Sequence, residues 1–213
     1  MNLSKLHSLL LLAAAVMAST LVVRLGLQKR ALERRVEELL TRTRDPYPGF
    51  LVPPVSVESV QGDSIVLGGA APGTLQLMFV FSTTCGSCVA SMPAVKSIHA
   101  ELGTNAPIEL FGVSVDSLEA TRRYMEEHGL AFPVVSLTLR RLLALYRLRR
   151  VPQLLLLDHL GRVQYVRAGA LAEAHAIDSV RATILATLAA TQLSSGGQDT
   201  LEDTRGVGAS NRR

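Results

Sequence analysis

The alternation of apolar and polar positions divides the chain into an N-terminal apolar run, a charged helical stretch, a mixed region and a polar tail. Leu6 to Val23 is apolar apart from His7, Ser8, Ser19 and Thr20, about the length that crosses a bilayer core. Apolar residues continue through Leu21, Val22 and Val23, past the small residues between Ala13 and Ala18. That favours an uncleaved anchor over a signal peptide with Lys5 as its n-region, and over a buried helix. Gln28 to Leu40 reads as a helix, with Leu25, Leu32 and Leu39 recurring every seven residues and Val36 between the last two. A solvated stalk explains this pattern. A weak coiled-coil contact between two chains through 25–40 is the alternative, but the repeat lasts about two heptads where about three to four are wanted. Asp45-Pro-Tyr-Pro-Gly49 then breaks the helix and marks a boundary.

Past the boundary the period changes. Val55–Val60 and Ser64–Leu67 read as strands around a Gln61-Gly62-Asp63 turn. Leu75–Phe81 is too uniformly apolar to face water on one side, which predicts an interior strand with a parallel neighbour. A helix follows from Gly86 to about Leu102, with Val89, Met92, Val95 and Ile98 on one stripe and a kink expected at Pro93. Ile108–Val115 is the next strand. Asp116 and Glu119 are spaced as a capping box for a helix to His128, which Gly129 stops. Phe132–Val135 is a short extended piece and Leu137–Tyr146 is helical. Val151–Leu157 and Arg162–Arg167 form a hairpin about Asp158-His-Leu-Gly161. The last helix spans Leu171 to about Ala190, with Ile177, Val180, Ile184 and Leu188 inward. From Leu193 the composition turns to Ser, Gly, Asp and Arg, which predicts a disordered tail. The expected organisation is an anchor over 1–24, a juxtamembrane helix and linker over 25–49, an α/β domain over 50–191 and a tail over 192–213. The domain should hold a mixed central sheet with helices on both faces and an N-terminal β-hairpin extension.

Composition sharpens this. With 213 residues, 48% of them hydrophobic, the chain suits one globular domain plus extensions. The net charge of +4 is modest, and the clustered arginines have no aromatic platform, which argues against nucleic-acid binding. Lys5 stands before the apolar run, and Arg24, Lys29, Arg30, Arg34 and Arg35 follow it. Taken alone, that asymmetry would place the domain in the cytoplasm. The interleaved Glu33, Glu37 and Glu38, and the short basic start, favour export. The reading is a single-pass protein of a bacterial inner membrane with a periplasmic domain.

The only two cysteines are Cys85 and Cys88, spaced C-x-x-C where the apolar strand meets the helix. No thiol is left for a structural bridge elsewhere. The unpaired N–H groups and dipole of a helix start favour a thiolate at Cys85, the nucleophile of disulfide exchange. Cys88, one turn on, is placed to resolve the mixed disulfide. A zinc half-site is the competing reading, but zinc needs four ligands and the histidines are scattered. An inert disulfide is the other, but closing so small a loop removes little chain entropy. No metal or cofactor is expected. Arg147, Arg149 and Arg150 crowd just before Val151-Pro152. Arg149 or Arg150 would lower the Cys85 pKa if near it, and a solvated basic helix end is the plain alternative.

These motifs together resemble the membrane-anchored thioredoxin-like proteins of the TlpA/ResA type, within the redoxin group, over about Pro53 to Ala190. The resemblance rests on the strand into Cys85-x-x-Cys88, Pro93, Gly112-Val-Ser-Val-Asp116 and Gly129-Leu-Ala-Phe-Pro133. It rests also on Tyr146 before Val151-Pro152, and on Asp158-x-x-Gly161. It implies a thioredoxin-like fold, a redox-active Cys85–Cys88 disulfide, and a cis Pro152 lying against the cysteine pair. The backbone of Val151 would then pair with an extended substrate. Thr84 and Pro93 would modulate the pair. Three positions depart from the pattern. Thr84 stands where the family usually has Trp, Phe79 where thioredoxins have a buried Asp, and Ser91 where ResA-type proteins have Glu.

The implied function is a membrane-tethered thiol–disulfide oxidoreductase. Its partners would be protein thiols or disulfides and an upstream thiol–disulfide electron donor. Ser82, three residues before Cys85, matches a hydroxyl of peroxiredoxins and makes a thiol peroxidase with antioxidant activity the alternative. The Phe-Ser-Thr-Thr-Cys-Gly-Ser-Cys run also resembles MauD-type proteins, which would imply an assembly factor for a membrane-associated complex.

Overall fold

The computed structural model describes residues 3–102 and 106–206; the side chains of 3–15, 37–43 and 194–206 lie outside the description. The chain falls into two compact units, Met1–Arg44 and Asp45–Arg213.

The first unit is one helix, α1 (Leu3–Arg44). The expected anchor and stalk helix are therefore continuous, because no Pro or helix-breaking Gly pair interrupts them before Asp45-Pro. Leu25, Leu32 and Val36 are exposed. Among the described residues no helix is long and apolar enough to cross a membrane. The first ten residues of the apolar run, 6–15, fall outside the described side chains.

The second unit is built on β3 (Leu75–Phe81), every residue of which is buried. It pairs in parallel with β4 (Ile108–Ser114) and antiparallel with β6 (Gln153–Leu157). With β5 (Val134–Ser136) and β7 (Val163–Ala168) at the edges, the sheet order is β5-β4-β3-β6-β7. The connections explain the layers. From β3 through α2 (Gly86–Leu102) to β4, and from β4 through α3 (Leu118–His128) to β5, the chain steps the same way along the sheet. Right-handed crossovers then place both helices on one face. The return from β5 through α4 (Arg140–Leu145) to β6 runs the other way and places α4 on the opposite face.

The side chains follow. Phe79, Phe81, Cys88, Val95, Ile98, Tyr124, Val180 and Ile184 share one core with the inward residues of α5 (Ala174–Gly206). Met78, Val80, Phe111, Tyr146, Leu148 and Leu155 form the other. The hairpin of β1 (Val55–Glu58) and β2 (Ser64–Leu67) covers this second face through Val55, Val57, Ile65 and Leu67. The α/β, thioredoxin-like architecture with an N-terminal hairpin is the one expected.

One buried polar residue interrupts the apolar β3. Gln76 is fully enclosed; its amide donates to the carbonyls of Val66 and Gly69 (both 2.8 Å) and to Glu109 Oε2 (3.0 Å), and it accepts from the Gly68 N–H (3.0 Å). Every polar atom is met, so burial carries little penalty. The Tyr146 hydroxyl likewise donates to the carbonyl of Pro53 (2.8 Å), fixing the entry to the hairpin, and burial pushes its pKa up to about 12. Gly161 closes the Asp158 turn at φ +78°, where a Cβ would run into the carbonyl oxygens of Val52 and Gly68.

α5 extends to Gly206, past the point where the composition predicts loss of order. Extending a helix already nucleated by packing costs far less than starting one. Residues 207–213 lie outside the described residues.

Candidate active site

β3 ends at Phe81 because Ser82-Thr-Thr supplies polar side chains that turn the chain. The Cys85 N–H donates to the Ser82 carbonyl (3.2 Å), and Cys88 and Val89 donate to the Cys85 carbonyl (3.0 and 3.1 Å), so Cys85 stands at the start of α2. Cys85 and Cys88 are joined as a disulfide with Cα atoms 5.2 Å apart. The two sulfurs differ in environment. Cys85 is half-buried, its Sγ lies 3.2 Å from the Ser87 hydroxyl and also accepts from the Cys88 N–H at 3.2 Å. Cys88 is fully enclosed among Phe79, Phe81 and Met92 on the α2 face. A partner can therefore reach Cys85 first.

The Val151-Pro152 bond is cis, Pro152 is buried, and its carbonyl accepts from the Gly169 N–H (2.9 Å). The backbone N–H and C=O of Val151 have no hydrogen-bond partner among the described residues. Val151 and Cys85 both pack against the core on the α2 face. An unpaired backbone edge and an accessible sulfur are what an incoming extended segment needs.

Two polar clamps hold the cysteine pair. The first is Asp116, whose Oδ2 accepts from the Thr83 N–H (2.6 Å), the Thr83 hydroxyl (2.8 Å) and the Ser82 hydroxyl (2.9 Å). Burial pushes the Asp116 carboxyl up, but the Thr83 amide and the two hydroxyls together outweigh it, and its pKa lies below the ordinary value. The second is Ser91, fully buried one turn after Cys88. It donates to the Ser87 carbonyl (2.7 Å) and accepts from the Leu171 N–H (2.8 Å), tying α2 to the segment that leads into α5.

The AhpC/TSA family model matches residues 45–166, more than half of the chain. The chain belongs to the AhpC/TSA family. Among curated relatives it is 26% identical over 118 residues to the thiol-disulfide oxidoreductase ResA of Halalkalibacterium halodurans, covering 55% of this chain and 66% of that one. It is 27% identical over 131 residues to ResA of Oceanobacillus iheyensis, covering 61% and 67%. It thus spans about two thirds of the length of these relatives. Among solved structures it superposes on a protein assigned as the thiol:disulfide interchange protein DsbE from Chlorobium tepidum. That match has a TM-score of 0.59 at 19% identity, over 68% of this chain and 99% of that one, and shows the shared fold.

In this AhpC/TSA domain the predicted site residues are brought together unevenly. Cys85, Cys88 and Thr84 sit at one end of β3, and Pro93 lies inside α2 on its exposed side. Arg150 pairs with Asp45 (3.1 Å), and Arg149 lines a shallow recess with Arg140, Leu143 and Leu148. Neither contacts the cysteines among the described interactions. The expected capping box fails. Ser117, not Asp116, is the N-cap of α3, accepting from the Ala120 N–H (3.3 Å), because the Asp116 carboxylate turns back to the loop before Cys85. Asp116 and Ser91 hold the cysteine segment through contacts that the sequence pattern does not announce. The only hint was that an Asp and a Ser stood where a helix cap and a departure from the family pattern each offered a local explanation.

Proposed function

We propose that this domain is a thiol–disulfide oxidoreductase acting on protein thiols and disulfides. The observation that carries it is the disulfide at the start of α2, with one sulfur accessible and one enclosed. In the reducing direction, the Cys85 thiolate attacks one sulfur of a substrate disulfide, forms a mixed disulfide and expels the substrate's first thiolate. The Cys88 thiol then gives up its proton and attacks Cys85 Sγ. The mixed bond breaks, the second substrate thiolate leaves, and the Cys85–Cys88 disulfide reforms. Two electrons pass from the pair to the substrate; the reverse sequence oxidises a dithiol, and an upstream thiol–disulfide donor restores the dithiol. The Val151 backbone holds the extended substrate segment beside Pro152. Within this reading Arg149 is the cation able to tune Cys85, since Arg150 is engaged with Asp45.

The 6–23 run tethers the domain to a bacterial inner membrane, with the domain on the periplasmic side. The ResA relatives support the exchange chemistry by name. The Ser82 hydroxyl donates to Asp116 rather than standing free for a peroxide, which sets exchange ahead of peroxidase activity.

The test is exchange by the full chain with a disulfide-bearing protein. Cys88→Ser should accumulate a mixed disulfide through Cys85, and Cys85→Ser should abolish exchange. Turnover retained in Cys85→Ser would sink the proposal, and full biological function of the double variant would point to an assembly role. Peroxide consumed in step with thiol oxidation, without protein exchange, would point to the peroxidase.

A further inference from the structure

The segment that delivers Cys85 is held from outside by a single charged oxygen. Asp116 Oδ2 carries three donors from Ser82 and Thr83. Ser82 passes the contact on. Its hydroxyl lies 3.2 Å from that of Thr84, and its carbonyl accepts from the Cys85 N–H at 3.2 Å. Thr83 is two residues from Cys85, so their Cα atoms are at most about 7.6 Å apart, and the carboxylate bonded to Thr83 lies beside the loop that presents the sulfur. A partly buried charge such as this one is screened less than an exposed one.

The other charged groups around the loop are otherwise engaged or set apart. Glu58 on β1 and Arg122 on α3 line a recess with Ser117 and Ser136. Glu119 pairs with Arg123 (3.5 Å), and Arg150 with Asp45. The first turn of α2 carries no acidic residue. Among the described residues, Asp116 is the charged group hydrogen-bonded to this loop.

The chemistry gives the sign. A Cys85 thiolate is an anion and is repelled by the carboxylate; the disulfide is neutral and is not. The helix start favours the thiolate, and Asp116 opposes it. We propose that Asp116 is a positioning residue that fixes the Ser82–Thr84 loop and, by its charge, restrains Cys85 thiolate formation and biases the pair toward the disulfide. This inference rests on the exchange reading above.

The experiment compares the parental full chain with Asp116→Asn and Asp116→Glu. Two quantities are read: the pH midpoint of Cys85 alkylation in the reduced protein, and the equilibrium of the pair against glutathione. Asp116→Asn keeps an oxygen for the Thr83 amide and loses the charge. Its midpoint should move acid-ward by about half a pH unit, and its equilibrium should shift about threefold toward the reduced pair. Asp116→Glu should stay with the parent. If Asp116→Asn does not fold, Asp116→Gln against Asp116→Glu repeats the charge comparison at matched side-chain length. Parental values for both quantities in the neutral variant would overturn the inference while leaving exchange intact. A shifted alkylation midpoint in a protein that never exchanges with glutathione would support the Asp116 role and sink the exchange reading.

Discussion

The two halves of the C-x-x-C segment are held in opposite ways. The approach loop, Ser82 to Thr84, has little apolar surface to bury and is fixed by hydrogen bonds to the Asp116 carboxylate. The first turns of α2 are fixed by burial: Cys88, Ser91, Met92 and Val95 are enclosed, with Ser91 as the one polar tie. The difference matches the work each half would do. A sulfur that must meet a partner is presented by a polar loop open to solvent, and the resolving sulfur is kept in an apolar bed. Charge-assisted hydrogen bonds position a group without covering it, whereas apolar packing positions a group only by covering it.

This contrast is breakable. The largest expected effect is on the buried side. Phe81→Ala removes a fully enclosed ring that packs on Phe79 (5.7 Å) and Tyr124 (5.3 Å), and should cost about 3–5 kcal/mol in denaturant unfolding. A loss under about 1 kcal/mol would mean that packing does not hold this end of the sheet. Next, Ser91→Ala leaves the buried Leu171 N–H without its partner and should cost about 1–3 kcal/mol. Its alkylation midpoint at Cys85 should stay near parental, since no charge is changed. A shifted midpoint would show that the two clamps act as one. The smallest effect belongs to the loop. The folded Asp116 pKa lies below its ordinary value of 3.8. Its contribution to stability is therefore present above the unfolded-state pKa and lost as pH falls through the folded one. Thermal unfolding followed from neutral pH down past pH ~4 should show an acid-side decline that is shallower in Asp116→Asn. Identical slopes would remove the loop clamp from the account of stability.

How much of this was legible in the sequence follows the same division. The bounds of β3 and α2 follow from an apolar run ended by Ser-Thr-Thr-Cys, and the mixed sheet follows from the order of runs and turns. Those are local signals with a period. The clamps are not local. Asp116 reaches Thr83 across 33 residues and Ser91 reaches Leu171 across 80. A short-range explanation was available for Asp116, so its tertiary role left no trace in the pattern. Arg150 shows the same limit from the other side. Closeness to Pro152 in sequence suggested closeness to Cys85, but Arg150 is drawn to Asp45 at the start of the domain.

Gln76 has a consequence of its own. One amide near the start of the central strand joins Val66, Gly68 and Gly69 of the hairpin region to Glu109 of the neighbouring strand. A shortened protein starting at Leu75 would retain both sulfurs, Asp116 and Pro152. It would also take two of that amide's three acceptors away and open to water the core that Val80 and Leu155 share with Leu67. The hairpin thus closes the face of the sheet opposite the cysteines, and a trimmed domain that kept the redox pair would lose half of what encloses its central strand.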